Sequence, residues 1–140
     1  MKHNLILRVV AKFLIPLMFL FALYVQFHGD FGPGGGFQAG VIFSVGIILY
    51  ALVFGTDVAK QIIPSGVLKV LASLGVLIYA GTGVASLLLG SNYLNYSVLG
   101  STQLAGQHLG IIVIELGVGM TVMSVMLIMF FAFADRDNKE

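Results

Sequence analysis

Apolar residues run almost unbroken through four stretches, about Leu5–Val25, Phe37–Phe54, Val67–Leu89 and Leu109–Ala134, and polar residues collect between them. Each stretch is close to the length, roughly 17–25 residues, that an α-helix needs to cross the hydrocarbon of a bilayer. The pattern predicts an all-α fold, an integral membrane protein with four transmembrane helices. With no internal repeat and no shift in composition, residues 1–140 read as a single membrane domain. The first stretch contains Arg8 and Lys12, one turn apart on one face, so its apolar part begins near Phe13. Long basic side chains at a helix end can reach back to the headgroups. Pro16, one turn further in, predicts a kink or the point where an oblique lead-in becomes the span. Met1–Lys12 followed by Phe13–Leu23 has the outline of a signal peptide, but no A-x-A-like cleavage site follows. The expectation is a retained span.

Composition supports the same class. The chain is 59% hydrophobic and 9% charged, against roughly a quarter charged in a soluble domain, and too little polar surface remains to cover so apolar a core in water. A net charge of +1 without a basic stripe excludes a nucleic-acid binder. The absence of cysteine removes disulfides, thiolate metal sites and thiol nucleophiles. Three scattered histidines without HxxxH or HxxE spacing give no metal site, and no cofactor is expected. The basic residues sort strictly. Lys2, Arg8 and Lys12 precede the first span, Lys60 and Lys69 lie in the second connection, and Arg136 and Lys139 lie in the tail. Four spans put these regions on one side, and the positive-inside rule makes that side, with both termini, cytoplasmic. The tail DRDNKE reads as a solvated end.

The connection GSNYLNYSVLGSTQLAGQ, on the other side, is polar and uncharged. Tyr93 and Tyr96 read as interfacial anchors. Asn95-Tyr96-Ser97 matches a glycosylation sequon, a short pattern that carries little weight.

The remaining outer connection, FHGDFGPGGGFQAG at Phe27–Gly40, is unusually rich in glycine. Gly34-x-Gly36-x-x-Ala39 formally matches a dinucleotide fingerprint, with Asp57 near the place of a ribose-binding acid. That fingerprint requires a strand before it in a βαβ unit, whereas membrane helices flank this one, and no Walker lysine follows. No nucleotide is expected. As a plain turn, Pro33 fixes one φ angle and the glycines permit left-handed backbone. Gly36, Gly40 and Ser44 recur every four residues and give the second span a small-residue face suited to close helix packing in lipid. Three consecutive glycines among His28, Asp30 and Gln38 exceed what a turn needs. Irregular backbone at this depth is tolerated where it is buried in protein or lines a wet cavity, which points to a partner subunit.

The segment HGDFGPGGGFQAG closely resembles the signature of the MrpB/MnhB family, small subunits of the multisubunit monovalent cation/proton antiporters. Gly29, Pro33, Gly34, Gly35, Gly36, Phe37, Gln38 and Gly40 fit its pattern. Asp30 stands where the family often has His, and Ala39 where it often has Gly, so a role for a histidine at position 30 is not carried over. The resemblance extends to chain size, the four spans and IELGVG at Ile114–Gly119. It implies a small, non-autonomous subunit in a prokaryotic cell membrane, partnered by large complex-I-like subunits. Such complexes exchange Na+, sometimes Li+ or K+, for protons. A related subunit of an ion-pumping hydrogenase or respiratory complex is the alternative, and a purely structural scaffold is a second.

Glu115 is the only acidic residue deep in a predicted span, where a charge costs on the order of 2.5–3.5 kcal/mol on insertion scales. Desolvation favours the neutral carboxyl and a nearby cation the charged one. Two readings stand: a proton- or cation-handling group, or an acid that fastens this helix to a neighbour. His108, seven residues earlier, shares its face but lies roughly 10 Å away along the axis. His28 and Asp30 are further candidates for polar lining of the path, and His28 and His108 otherwise read as interfacial. Asp57 and Lys60 are three apart and can pair at a solvated helix end. Thr82, Ser86, Thr121 and Ser124 can bond back to their own helices, and Met120, Met123, Met126 and Met129 read as packing.

Overall fold

The computed structural model describes residues 5–29 and 34–137, which leaves Lys2, His3 and Lys139 outside the described residues. Five α-helices follow in order: α1 (Leu5–His28), α2 (Gly36–Phe54), α3 (Thr56–Ile62), α4 (Ser65–Leu88) and α5 (Gln103–Asp137). One 3-10 turn, Tyr96–Val98, stands before α5. All except α3 are long and apolar enough to cross a bilayer. α1 continues through Pro16 without interruption and ends three residues beyond the apolar run. α5 starts six residues earlier than its apolar run. Its 35 residues span roughly 52 Å at the standard rise, longer than the roughly 30 Å hydrocarbon layer.

The helices form a row. α1 packs on α2, α2 on α5, and α5 on α4, while α1 touches α5 only lightly. Side chains fill the contacts at one end. There Ala51, Ala59, Leu68, Leu127 and Phe131 form one buried cluster, and Ala11, Ile15 and Val53 form another. Towards the other end backbones replace side chains. A Cβ on Gly40 would lie 2.6 Å from the Gly119 carbonyl oxygen, and one on Gly75 would lie 2.6 Å from that of Gly117. Without a hydrophobic drive between helices in lipid, such close approach supplies the packing. The Thr121 hydroxyl donates to the Gly117 carbonyl at 2.9 Å and reaches that of Ala72 on α4 at 3.5 Å. Thr82, Ser86 and Ser124 bond to carbonyls of their own helices.

The cluster around Leu68 and Phe131 is closed by an ion pair that differs from the one the spacing suggests. Lys60 pairs with Asp135 of α5, not with Asp57, and its ammonium lies 5.7 Å from the centre of the Phe131 ring. Asp57 instead occupies the exposed first turn of α3, where the helix dipole favours a negative charge, and the last turns of α5 bring Asp135 to Lys60.

The connection from α4 to α5 packs back on both helices. Tyr93 covers Gly83 of α4, and Tyr96 covers Gly110 of α5, so closely that neither glycine could carry a Cβ. The rings fill notches in the helices. Burial, followed by the neighbouring Tyr79 and Tyr93, raises the Tyr96 phenol above its ordinary pKa. The apparent sequon is a cap: Asn95 Oδ1 accepts from the Ser97 amide at 3.2 Å and its hydroxyl at 2.7 Å, while Asn95 Nδ2 donates to Ser91 Oγ at 2.7 Å.

Candidate functional site: a carboxylate in a glycine cradle

The glycine connection and Glu115, separate features in the sequence, meet in space. α1 ends at His28, and the chain returns to start α2 at Gly36. The turn is tied by a hydrogen bond from the Gly35 amide to the Val25 carbonyl, 3.1 Å, which fixes the start of α2 against the last turn of α1. Gly35 has φ 124° and ψ 174°, a conformation in which a side chain would be strained. Gly34 must also be bare, because a Cβ there would lie 2.8 Å from the same Val25 oxygen.

α5 brings Glu115 to this junction. A Cβ on Gly29 would collide with Oε1 of Glu115 and lie 2.8 Å from Oε2. One on Gly35 would lie 3.0 Å from Oε1. One on Gly36 would run into the Glu115 carbonyl oxygen. The carboxylate therefore rests on naked backbone from both sides of the turn, and the α5 backbone rests on the first residue of α2. Gly119, one turn further along α5, meets Gln26 of α1: a Cβ on Gly119 would lie 2.8 Å from the Gln26 Oε1.

Electrostatics favour an acid at this place. The first amide of α2 bonded to the capping carbonyl is that of Ala39, to Gly35 at 3.0 Å. The amides of residues 36–38 belong to the first turn, which has no carbonyl of its own helix to bond. Gly35, at the cap position, has no side chain to offer them. The positive end of the α2 dipole thus lies beside the half-buried Glu115.

The other sequence candidates distribute around the cradle. His28 is half-buried in the last turn of α1, its ring stacked 4.9 Å from that of Tyr24. His108 is exposed on α5, two turns before Glu115. Phe37 and Gln38 are exposed on the first turn of α2, while Gly36 and Gly40 are buried on its α5-facing side. Asp30 and Pro33 lie outside the described residues. Among the described residues no group of three or more His, Cys, Asp or Glu could hold a metal.

Gln26 is the residue that sequence reasoning missed. It is 6% exposed and is the polar member of an otherwise apolar groove of about 230 Å³ between α1, α2 and α5, where Phe27, Phe43, Leu116 and Met120 also lie. The available signal was an amide inside an apolar run, three residues before Gly29 and so on the same face of α1.

Comparison with known proteins places these residues in a common frame. The profile of the family described as "Domain related to MnhB subunit of Na+/H+ antiporter" matches residues 6–128, which include the whole cradle. The chain is 31% identical over 130 residues to the B-type subunit of the Na(+)/H(+) antiporter of Bacillus subtilis (strain 168), with 86% of this chain and 90% of that protein covered. It is 33% identical over 134 residues to mnhB2, a protein assigned as an antiporter subunit in Staphylococcus haemolyticus (strain JCSC1435), with 88% and 94% covered. The mnhB2 protein of Staphylococcus aureus (strain Newman) is likewise 33% identical over 129 residues, with 89% and 91% covered.

Proposed function

The chain belongs to the MnhB family of Na+/H+ antiporter subunits, and we propose that within such a complex it places the Glu115 carboxyl on the path of the exchanged proton or cation. The observation that carries this reading is the cradle. Gly29 and Gly35 leave no side chain between the carboxylate and the backbone of the α1–α2 turn, and Gly36 leaves none against the α5 backbone at Glu115. The bare positions let the acid lie directly on the backbone where α2 begins. The positive end of α2 supports the charged form and the apolar surroundings support the neutral one. An acid held between these two influences can take up and release a proton as the local charge changes.

Membership of this family supports reading the chain as a transport component rather than an enzyme. Its setting in this reading is the plasma membrane of a prokaryote, with the basic end and both termini cytoplasmic. Large complex-I-like subunits of the same assembly are its neighbours, lipid covers the remaining apolar faces, and Na+ and H+ are the exchanged ions.

The test is Glu115→Gln in everted vesicles that carry the whole complex. Gln keeps the shape and loses the exchangeable charge. Na+-dependent proton exchange should fall about tenfold or more, equivalent to about 1.4 kcal/mol or more, with all subunits co-purifying in normal amounts. Wild-type exchange in an intact complex would remove Glu115 from the path, and loss of the complex would make it an assembly residue.

A further inference from the structure

Antiport through Glu115 makes no use of a second feature, at the basic end of the row. Arg8, Lys12, Ile15 and Phe19 follow one another at helical spacing and share one face of α1. On α2 the facing stripe is Phe54, Tyr50 and Ile47. Both cations lie on the same ring: the Arg8 guanidinium carbon is 5.2 Å and the Lys12 ammonium 6.0 Å from the centre of Phe54. Among the described residues the one salt bridge joins Lys60 and Asp135, so neither Arg8 nor Lys12 has an acid. The Arg8 Nε is buried without a hydrogen-bond partner. Two like charges over one aromatic face repel, and a buried donor without an acceptor costs free energy. The pair calls for an anion.

One turn deeper along the same two stripes the surface becomes hydrocarbon-like. Ile15 and Phe19 of α1, Ile47 and Tyr50 of α2, Ile62 of α3 and Ile63 just after it line a groove of about 420 Å³, open on one side. That volume lies in the range of roughly 300–1,000 Å³ typical of ligand pockets. The groove begins about 4.5 Å and extends about 10 Å beyond Lys12 along the helix axis.

We propose that Arg8, Lys12 and this groove form a binding site for one anionic phospholipid, with the phosphate on the two cations and an acyl chain in the groove. The order of the parts decides the occupant. Charge sits at the end of the span and an apolar channel runs from it towards the middle, as in the lipid itself. An acidic peptide from a neighbouring subunit would satisfy the cations but not the groove. Basic pockets between helices on the positively charged side of a membrane protein recognise acidic headgroups in this way.

The chain contains no tryptophan, so Tyr50→Trp puts a single reporter in the groove. The full-length variant is reconstituted in phosphatidylcholine vesicles that contain increasing fractions of phosphatidylglycerol or phosphatidylcholine with brominated acyl chains. Bromine quenches the reporter only on contact. Each cation is expected to favour an anionic headgroup about fivefold, so phosphatidylglycerol should quench with a relative association constant roughly five- to twentyfold higher. Adding Arg8→Gln and Lys12→Gln should reduce the ratio to about one, and adding Arg8→Lys and Lys12→Arg should keep most of it. The second pair retains both charges, so it separates a lost site from a misfolded chain. Equal quenching by the two lipids would overturn the proposal, as would a preference that survives the double Gln substitution. So would a chain that shows no preference while the double Gln variant loses the other subunits on purification, because the cations would then serve a protein partner.

Discussion

Gly29→Ala tests the cradle with a single methyl group. Gly29 is not one of the glycines with positive φ, which among the described residues are Gly35, Gly55 and Gly90, so alanine brings no backbone strain. Substitution of this kind commonly stabilises a fold by about 0.4–1 kcal/mol through the unfolded chain. The new Cβ meets only the tip of a flexible side chain: it would overlap Oε1 of Glu115 and stand 2.8 Å from Oε2 and 2.9 Å from Cδ. Ordinary contact begins at about 3.4 Å, so the carboxylate must withdraw by at least half an ångström. Moving a side chain off its rotamer costs about 0.5–1.5 kcal/mol, or roughly two- to thirteenfold in the population of the original position. Na+-dependent proton exchange in vesicles should therefore fall by about three- to tenfold, with unchanged subunit stoichiometry and a stability within about 1 kcal/mol of wild type, since the two terms largely offset. A second variant sharpens the assignment. Glu115→Asp draws the carboxylate back by one methylene and removes the object of the clash. Adding Gly29→Ala to Glu115→Asp should then cost almost nothing further, a non-additivity expected of groups in contact. Wild-type exchange in Gly29→Ala, or fully additive losses in the double variant, would refute the reasoning.

Three further outcomes follow from the packing. Gly36→Ala meets backbone, not a side-chain tip, at the Glu115 carbonyl; α2 and α5 must separate, at a cost of about 1–3 kcal/mol, which should appear as a lower thermal midpoint and reduced recovery of the complex. Asn95→Ala removes the cap on the 3-10 turn and the link to Ser91. It should lower stability by about 1 kcal/mol, read by thermal unfolding in detergent, without altering exchange. The Tyr96 phenol, raised first by burial and then by Tyr79 and Tyr93, should ionise above its ordinary value of 10.0 in an ultraviolet titration. Because its folded pKa is the higher one, its contribution to stability is complete below the ordinary phenol pKa and is lost as pH rises through the folded value. Tyr96→Phe should remove that alkaline step.

The four spans were legible because a bilayer permits few solutions: long apolar runs must become helices that satisfy their own backbones. Glu115 was legible as a misfit, an acid in a setting that penalises acids. What composition and period could not supply was adjacency. Nothing in the spacing of Gly29 and Glu115, 86 positions apart in the sequence, says that they touch. Gln26 escaped because one amide among apolar neighbours looks like a snorkelling end until its burial is known. Asp57 was matched to Lys60 because three-residue spacing is visible in sequence, while the crossing that brings Asp135 to Lys60 is a tertiary fact. The seats of Tyr93 and Tyr96 were hidden for a related reason. Loop side chains answer to the notches beneath them, and Gly83 and Gly110 make those notches.

The fourth long helix is gripped on two sides at one level. Gly36 and Gly40 press on its backbone at Glu115 and Gly119, and Gly75 presses on its backbone at Gly117 and on Thr121, hydroxyl included. A helix clamped in this way within two turns can neither roll nor slide without opening both joints, so α2, α5 and α4 behave as a fixed plate. α1 has only a light hold on α5, through Gln26 at Gly119 and Gly29 at the carboxylate. The acid thus sits on the doubly clamped helix, and of the elements around it α1 has the lightest hold on α5.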